Sequence, residues 1–569
     1  MFKKISIIVL LFLITSCGNN KGLSDIEIIS LFIKSVEQSY SQNNIATKVE
    51  YAGDVFLLDF ENNQRESIAR DLVIFEKYEF HAQLLFSDGR ELKVGLVNST
   101  VEIQSLTDSG SIVPLSKKFS AVVPFRGHLY WETIGRNGVA SNIKSTAIVV
   151  EEGPIDFYVH GLYADESSQV SITYTNDNGV VRYSQNFNIE PGNITESLKA
   201  LTITATNFSK DEASRLFLTQ HRAVPHLFMI DQFGDVRWTI NEEMPAVYGL
   251  QQTESGLLVA VAGRDIIEVT LSGIVERYTI PLEYGDIHHD IAPIAENQYL
   301  LTVNSTDGET IEDLLILFDT ENMTVLREWD LRESVPKMTL LIDDDNDWFH
   351  VNAVAFDSRD QTILVSGQRS AVAKISWENE LIWLLTDPER LTDVDVSQIK
   401  GLEGENIDDV LLLDLYGDII TWGQHDIRID PNTNSYYLFD NGFGRFYVNS
   451  NNYSRGVNFS IDEDALQFDI NRTFGQERTE FYSPIISGID FNSLGDVLVN
   501  FGSIGYEFNY LNNKDFRGSI WKSEYAGYGA AWLEFDIENN IKMEILFSGF
   551  DGQNNDPGIY RARYGSLSK

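Results

Sequence analysis

The stretch His350-Val-Asn-Ala-Val-Ala-Phe-Asp357, followed after a polar turn by Thr362-Ile-Leu-Val-Ser366, has the pattern of a strand pair that opens with a histidine. The pattern occurs twice more, in His289-Asp-Ile-Ala-Pro-Ile294 with Tyr299-Leu-Leu-Thr-Val303 and in His425-Asp-Ile-Arg-Ile-Asp430 with Ser435-Tyr-Tyr-Leu-Phe439. The three histidines are 61 and 75 residues apart, in a chain of 569 residues that has nine histidines. A strand pair that recurs in this way indicates a repeat architecture.

Similar strand pairs and turns continue from about residue 201 to the end of the chain. The turns are Asp231-Gln-Phe-Gly-Asp235, Asp357-Ser-Arg-Asp360, Asp430-Pro-Asn-Thr-Asn434 and Asn492-Ser-Leu-Gly-Asp496. Repeats of about 40–50 residues with four strands each are typical of propeller blades. The sequence therefore predicts an all-β chain with a six-bladed β-propeller at 206–569. The inner strand of each blade lines the axis, so we expect the three histidines to converge on one pocket.

Before residue 206 the sequence predicts smaller units. Strand patterns indicate a small β module at 46–110 and a β-sandwich domain at 111–205. For residues 17–45 the sequence pattern predicts a tether and a short helix. Ser24 would be the N-cap of this helix, and Glu27 would complete a capping box. The apolar face of this helix would consist of Ile28, Ile29, Phe32, Ile33 and Val36.

The first residues have the features of a secretory signal at 1–16. Met1-Phe-Lys-Lys4 precedes a mostly apolar run from Ile5 to Ile14, which is too short to span a membrane. The following Ile14-Thr-Ser-Cys17 is similar to the lipobox of bacterial lipoproteins. We therefore expect lipidation of Cys17 and a place in the cell envelope, in the periplasm or at the outer membrane.

The net charge limits the classes of partner that the chain can bind, and the cysteine content limits its disulfides. The net charge is −42, and it becomes −44 without residues 1–16, which carry two lysines and no acidic residue. Such a surface repels nucleic acid and anionic membranes, so we expect no nucleic-acid partner and membrane contact only through the lipid. Cys17 is the only cysteine, which excludes an intrachain disulfide. We expect no cofactor, and a homodimer stays open.

Three imidazoles around one axis allow two kinds of chemistry. Three neutral imidazoles with an open coordination position could hold a hydrolytic zinc ion. Alternatively, one neutral imidazole acts as a nucleophile while cationic neighbours hold an oxyanion. Arg369 lies one hairpin beyond His350, and Arg445 lies likewise beyond His425. A positive side chain near the histidines would favour the second alternative.

Several motifs together resemble the bacterial arylsulfate sulfotransferases. They are Asp286-Ile-His-His-Asp-Ile291, Asp347-Trp-Phe-His-Val-Asn352, and Gln424-His425 leading to Leu438-Phe-Asp-Asn-Gly442. The segment His160-Gly-Leu-Tyr-Ala-Asp165 is similar to the β-sandwich domain that precedes the propeller of this family. The resemblance covers about residues 111–569.

The resemblance implies an enzyme outside the cytoplasm that moves a sulfuryl group from an aryl sulfate to a phenol without a nucleotide donor. It implies that His425 is the nucleophile that becomes a sulfohistidine. It also implies that His289 and His350 hold the sulfuryl oxygens with help from an arginine, for which Arg369 is the candidate. Sulfuryl transfer needs an in-line nucleophile and cationic donors placed in advance, as phosphoryl transfer does. Further candidates for substrate binding are His288, Asn352, Gln368 and Arg445.

The chain departs from the family at the arginine segment. The family has Ser-Ser-Arg-His-Gln where this chain has Ser366-Gly-Gln-Arg-Ser370, so the arginine stands one place later. A shift of one residue turns a strand side chain to the opposite face of the sheet. Two alternatives to the sulfotransferase therefore stay open: a non-catalytic propeller that binds a ligand or a partner, and a zinc hydrolase.

Overall fold

The structure of the protein is a computed structural model. It describes residues 101–568, except for 107–111, 124–125, 177–180, 211–212, 339–345, 369–370, 392–393, 403–405, 415–416, 444, 446–451, 505–528 and 549–557. Before residue 101 it describes strands only, without their side chains. The predicted signal at 1–16, Cys17 and Arg369 lie outside the described residues. Within the described residues, no helix combines the length and hydropathy that a membrane span requires.

Seven strands near the N-terminus form two antiparallel sheets, in the orders β1-β7-β6-β5 and β2-β3-β4. These strands are β1 (Val36–Ser39), β2 (Ala46–Ala52), β3 (Val55–Phe60), β4 (Arg65–Ala69), β5 (Leu72–Lys77), β6 (His81–Phe86) and β7 (Glu91–Leu96). The prediction of a helix is wrong where it included Val36, because β1 pairs with β7 and this pairing overrides the local helical pattern. The other residues of the predicted helix face lie outside the described residues.

The next eight strands form a β-sandwich. They are β8 (Glu102–Ser105), β9 (Ser116–Val123), β10 (Gly127–Thr133), β11 (Ile143–Lys144), β12 (Ile148–Val150), β13 (Gly153–His160), β14 (Ser168–Asn176) and β15 (Val181–Ile189). One sheet has the order β13-β9-β8, and the other has the order β11-β10-β14-β15 with β12 also paired to β10. Alternate residues of β9 and β10 point into a shared core, as Phe119 and Trp131 do. The strand β8, placed by sequence in the module at 46–110, pairs here with the sandwich strand β9.

Helices are short throughout the described residues. They are α1 (Glu196–Ala200), α2 (Leu331–Ser334) and the 3-10 turns Val139–Ser141, Pro388–Leu391, Ile407–Asp409 and Thr479–Phe481. The strand β16 (Thr202–Asn207) follows α1 and crosses the predicted domain boundary after residue 205. It pairs with β40 (Ile541–Ser548), so it adds an outer strand to a propeller sheet.

Four-stranded antiparallel units, together with the strand β32, account for the strands described after β16. In chain order the strands are β17 (Leu216–His221), β18 (Leu227–Asp231), β19 (Val236–Thr239); β20 (Leu250–Gln252), β21 (Leu258–Ala262), β22 (Asp265–Val269), β23 (Val275–Thr279); β24 (Ile287–Ala295), β25 (Gln298–Val303), β26 (Leu314–Asp319), β27 (Thr324–Asp330); β28 (Val351–Asp357), β29 (Thr362–Gly367), β30 (Ala371–Ile375), β31 (Leu381–Leu385); β32 (Leu411–Asp414); β33 (His425–Asp430), β34 (Ser435–Asp440), β35 (Arg455–Asp462), β36 (Gln467–Phe474); β37 (Gly488–Phe491), β38 (Val497–Phe501), β39 (Ala530–Phe535), β40, and β41 (Ile559–Gly565).

The first strands of these units contact one another in a closed ring. In the described residues the ring runs β41, β20, β24, β28, β33, β37 and back to β41. The last strand of the chain, β41, pairs with β17, so the two ends of the propeller sequence share one sheet. The strand β32 pairs in parallel with β31 and β36 and links two neighbouring units. The predicted class, an all-β propeller after a small β-sandwich, is confirmed.

Candidate active site

The three histidines that open the repeats are brought together by consecutive inner strands. His289 lies in β24, His350 immediately precedes β28 and His425 begins β33. The ring centroids of His289 and His350 are 4.9 Å apart. The ring of Tyr560, from β41, lies 5.7 Å from that of His289 and 6.2 Å from that of His425. The structure thus gathers the three imidazoles around one tyrosine where the inner strands meet.

The backbone at these strand starts adopts an uncommon conformation. His289 and His350 have φ angles of 55° and 57°, and Asp426, directly after His425, has a φ angle of 59°. Residues other than glycine rarely occupy this left-handed region, which costs about 1–3 kcal/mol for each residue. Strain of this kind tends to gather at functional sites, where it aims side chains at a ligand.

Hydrogen bonds fix the tautomer of His425. Its Nδ1 lies 2.8 Å from Oδ1 of Asn441 and 3.2 Å from the carbonyl oxygen of Gly423. The amide nitrogen of Asn441 donates to the carbonyl oxygens of Ser483 and Ile486, so Oδ1 is the atom that faces the imidazole. Both neighbours of Nδ1 are acceptors, and Nδ1 therefore carries the proton. The lone pair of the ring is left on Nε2.

His425 is also uncharged. Burial, together with the charge of Arg561, lowers the pKa of His425 well below its usual value of 6.5. A neutral imidazole with its lone pair on Nε2 is the form that can act as a nucleophile.

One carboxylate bridges the other two imidazoles. Oε2 of Glu312 lies 3.2 Å from Nε2 of His289 and 2.6 Å from Nδ1 of His350. The hydroxyl of Tyr560 lies 2.9 Å from Nδ1 of His289. Oδ2 of Asp347 lies 2.8 Å from Nδ1 of His350. Two acidic side chains therefore meet His350, whereas His289 lies between a carboxylate and a hydroxyl.

These environments shift the pKa values of the two imidazoles in opposite directions. Burial acts to lower the pKa of His350, but the charge of Glu312 and the hydrogen bond with Asp347 outweigh it and raise the pKa to about 9. At His289 burial dominates, and the pKa falls below 6.5 despite the nearby Glu312. Burial would raise the pKa of Glu312, but its electrostatic interactions and hydrogen bonds with His289 and His350 hold it far below its usual range. At neutral pH the cluster holds one imidazolium, His350, and one neutral imidazole, His289.

Two buried arginines from β41 supply fixed positive charge next to the histidines. The guanidinium of Arg561 covers the ring of Tyr560 at 4.3 Å and donates to the carbonyl oxygen of Asn352 at 2.9 Å. Arg563 makes two hydrogen bonds to the carboxylate of Asp426, at 2.6 and 2.9 Å. Burial acts to raise the pKa of Asp426, but the charges of the two arginines hold it well below its usual range.

Three further predicted residues lie close to the histidines and have identifiable roles. The buried His288 packs 5.1 Å from His289, and burial lowers its pKa to about 3, so it is neutral. The amide of Asn352 donates to the carbonyl oxygen of Gln424 at 2.7 Å and thereby ties β28 to the residue before His425. The backbone N–H of Gln368 donates to the carbonyl oxygen of His350. The hydrogen bonds of Asn352 and Gln368 thus hold the backbone before His425 and at His350.

The structure places Arg445 in a structural ion pair. Its guanidinium contacts the buried carboxylate of Asp440, donates to the carbonyl oxygen of Tyr453 at 2.7 Å and covers the ring of Tyr453 at 4.0 Å. This pairing favours a role in holding the turn after β34. The role of Arg369 stays a prediction, because that residue lies outside the described residues.

Two overlapping groups of described residues have ligand atoms close enough to hold a metal ion. One consists of His288, His289 and Glu312, and the other of Glu312, Asp347 and His350. His425 belongs to neither group, so the three-histidine zinc site considered from the sequence does not form around these atoms. Hydrogen bonds and ion pairs already join His289, Glu312, Asp347 and His350, and we interpret the cluster in those terms.

Comparison with known proteins places this geometry in a family. The family model for arylsulfotransferases (ASST) matches residues 202–548, which is more than half of the chain. The chain belongs to the arylsulfotransferase family. The predicted family is therefore confirmed. His289, His350 and His425 lie within the matched region, whereas Tyr560 and Arg561 lie beyond it.

Two curated relatives are each called arylsulfate sulfotransferase AssT. The one from Escherichia coli O6:H1 (strain CFT073) is 24% identical over 378 residues, which cover 53% of this chain and 62% of the relative. The one from Lelliottia amnigena is 23% identical over 358 residues, which cover 49% of this chain and 58% of the relative. This chain thus spans about three fifths of the length of the curated relatives it matches. The solved Dos1 propeller is 10% identical and covers 82% of this chain and 98% of that chain, at a TM-score of 0.29, which is too low to compare the two architectures.

Proposed function

We propose that this member of the arylsulfotransferase family transfers a sulfuryl group from an aryl sulfate to a phenol through a sulfohistidine at His425. The observation that carries the proposal is the meeting of a neutral His425 with two further imidazoles at the ring of inner strands, within the region that matches the family. The activity, the class of donor and acceptor, and the covalent intermediate are all parts of this proposal.

In the first step, Nε2 of His425 attacks the sulfur of the donor. The bond between the sulfur and the aryl oxygen breaks, and the phenolate leaves with the electron pair. A phenolate is a stable anion, so this step requires little acid catalysis. The sulfated ring keeps the proton on Nδ1, which the side-chain oxygen of Asn441 accepts.

Positive charge placed in advance would stabilise the transferring group. A sulfuryl group spreads negative charge over its oxygens in the transition state, as a phosphoryl group does. His350 is an imidazolium at neutral pH and lies beside His289, which faces the same tyrosine as His425. Fixed donors of this kind need no reorganisation during the reaction, which is the main source of such catalysis.

In the second step, the acceptor phenol attacks the same sulfur. Its oxygen forms a bond to sulfur, the N–S bond breaks, and the electron pair returns to Nε2 of His425. The phenol proton must pass to a base. The structure offers a neutral imidazole for this task in His289, whose Nδ1 already faces the hydroxyl of Tyr560.

Mass spectrometry tests this proposal directly. After brief incubation with p-nitrophenyl sulfate, the peptide that contains His425 should gain the mass of one SO3 group and lose it again when a phenol is added. The variant His425→Asn should gain nothing, whereas His128→Asn should behave as the wild type, because His128 lies in the sandwich strand β10. A wild-type chain that is never sulfated, or an adduct that persists in His425→Asn, would refute the sulfohistidine.

The place of the protein in the cell is a separate proposal. The lipobox-like Ile14-Thr-Ser-Cys17 supports a lipid on Cys17 and a place in the cell envelope. Metabolic labelling with a fatty acid should mark the wild type and not Cys17→Ala, and equal labelling of both would contradict the anchor. A homodimer also stays a prediction, which the mass of the purified protein in solution can test.

A further inference from the structure

Glu312 is a partly buried carboxylate that no sequence motif pointed to, and it is the common partner of two of the three histidines. Its side chain and those of His289 and His350 are between 14% and 17% exposed. The same atom, Oε2, contacts both rings. An ionised carboxylate only accepts hydrogen bonds, so each ring must present an N–H to it.

We infer that Glu312 is a positioning residue that gives its two imidazole partners opposite roles, His289 as a neutral proton acceptor and His350 as a cationic donor. This inference rests on the sulfuryl transfer proposed above, and it assigns the acid–base groups of that reaction.

The argument for His289 follows from its hydrogen bonds. Because Nε2 donates its proton to Glu312, the lone pair of the neutral ring lies on Nδ1. That lone pair faces the hydroxyl of Tyr560 at 2.9 Å, so the hydroxyl donates. A carboxylate, an imidazole and a hydroxyl in this order form the arrangement by which an acidic residue orients a general base. A phenolic acceptor carries the same chemical group as Tyr560.

The argument for His350 follows from charge. Its Nδ1 faces two carboxylates, Glu312 at 2.6 Å and Asp347 at 2.8 Å. Two negative neighbours favour the charged ring, as reflected in its raised pKa. With Nδ1–H committed to the carboxylates, Nε2–H is the donor that can meet a sulfuryl oxygen. Pairs of groups whose environments push their pKa values apart are a recurring mark of acid–base assignment in enzymes.

The backbone supports a functional role for Glu312. Its φ angle is 57°, so it shares the left-handed conformation of both its histidine partners. Its N–H donates to the side-chain oxygen of Asn304 at 3.0 Å, and its carbonyl oxygen accepts from the N–H of Val351 at 2.9 Å. The second bond fixes the carboxylate relative to the strand that follows His350. Two strained histidines that converge on the carboxylate of a third strained residue favour a function over a packing role.

Other titratable or charged groups also face this cluster. They are Tyr248, His288, Asp347, His425, Tyr560 and Arg561. Burial raises the pKa of the Tyr560 hydroxyl, so it keeps its proton at neutral pH. The burial of His288 and His425 keeps both of them neutral. Near neutral pH, the carboxylates of Glu312 and Asp347 therefore determine which imidazoles of the cluster are protonated.

The proton balance of the second step is complete with these groups. The acceptor phenol gives its proton to the Tyr560 hydroxyl, which passes its own proton to Nδ1 of His289. The phenol oxygen bonds to sulfur, the N–S bond of sulfated His425 breaks, and its electron pair returns to Nε2. His289 becomes an imidazolium that Glu312 stabilises until the proton leaves to solvent with the product. No oxidant, reductant or further co-reactant is required.

The test compares Glu312→Gln with Glu268→Gln. Glu268 is also a buried carboxyl, bonded to the Tyr299 hydroxyl at 2.6 Å, and it touches no histidine of the site. Selective ¹⁵N labelling of the nine histidines allows the ring titrations to be followed by NMR, with His350→Gln to assign the signal. Wild-type His350 should titrate near pH 9. In Glu312→Gln its pKa should fall by about 1–3, while Glu268→Gln leaves it unchanged.

Kinetics provide the second readout. Removal of the oriented base and of the fixed cation should slow transfer to the phenol by about 10²-fold or more in Glu312→Gln, with a changed pH profile. An unchanged titration of His350, or an unchanged pH profile, would overturn the inference. So would a stoichiometric divalent metal ion that is present in the wild type and lost in Glu312→Gln, because Glu312 would then be a metal ligand.

The two proposals fail in different ways. If Glu312→Gln does not fold, the wild-type titration alone decides, since a His350 that titrates at or below 6.5 overturns the charge assignment. If wild-type His425 is never sulfated, the proposed function fails, whereas the NMR titration still decides whether Glu312 divides the charges of its partners.

Discussion

The Nδ1 atom of His425 lies 2.8 Å from the side-chain oxygen of Asn441, and two backbone carbonyls hold the amide of Asn441 in that orientation. This relationship leaves the lone pair of the imidazole on Nε2. Asn441 thereby determines which ring nitrogen of His425 can attack sulfur in the proposed reaction.

Replacement of Asn441 by alanine should therefore slow sulfation of His425. Without Asn441, Nδ1 keeps only the more distant acceptor, the carbonyl oxygen of Gly423 at 3.2 Å, so the ring can adopt the other tautomer or rotate. We expect a loss of about 10²-fold in the rate of the first step, by analogy with other misoriented imidazoles. Stopped-flow release of p-nitrophenol measures this rate.

The matched control is Asn458→Ala. Asn458 is also buried and donates to the carbonyl oxygen of Tyr436, but it lies away from the histidines in β35. Equal losses of rate in both variants would mean that Asn441 acts only through stability.

How much of this site the sequence could predict depends on distance along the chain. His289, His350 and His425 open repeated strand pairs, and the pattern is visible without coordinates. Tyr560 is 271 residues away from His289 and reaches it because β41 closes the ring of inner strands. Glu312 lies just before β26 and belongs to no recognised motif.

A motif in the sequence also identifies a residue more readily than the groups that this residue contacts in the folded chain. Asn441 stands in the quoted Leu438-Phe-Asp-Asn-Gly442, but its role follows only from the position of its amide. Arg445 stands one hairpin beyond His425, which predicted a substrate contact. In the structure its guanidinium pairs with the buried Asp440, two strand positions beyond Leu438, and the substrate contact stays a prediction.

Replacement of Arg445 by methionine should affect stability and not the affinity for the donor. The carboxylate of Asp440 would keep only Arg455, at 3.0 Å, as an ionic partner. Loss of one partner of a buried pair costs about 3–5 kcal/mol, and the remaining arginine should reduce that cost. Urea unfolding measures the loss, and the KM for p-nitrophenyl sulfate should stay within about twofold of the wild type. A KM that rises tenfold in a folded variant would restore Arg445 as a substrate contact.

The charge of His350 also predicts a dependence of stability on pH. Its pKa is about 9 in the folded protein and 6.5 for an ordinary histidine, so the folded state holds an extra proton between these values. The resulting stabilisation is fully present below about pH 6.5 and is lost as the pH rises through about 9. It amounts to a few kcal/mol, on the order of 1.4 kcal/mol for each pKa unit.

Urea unfolding at about pH 6 and about pH 9.5 should therefore show a smaller difference in His350→Gln than in the wild type. The comparison between variants cancels the titration of other groups. A wild-type chain that becomes more stable over this range relative to His350→Gln would contradict the sign of the shift.

We expect the largest effect on stability from the ion pair between Asp426, which follows His425, and Arg563. Asp426 is fully buried and accepts two hydrogen bonds from Arg563 and one from the N–H of Ile489 at 3.0 Å. Asp426→Asn removes the negative charge and leaves the arginine buried, which should lower the free energy of unfolding by about 3–5 kcal/mol. Asparagine tolerates the φ angle of 59° at this position, so backbone strain adds little to the loss. The control is Asp156→Asn, which breaks an exposed pair with Lys118 and should not change urea unfolding measurably. Equal effects of the two substitutions would mean that the pair beside His425 is as well solvated as a surface pair.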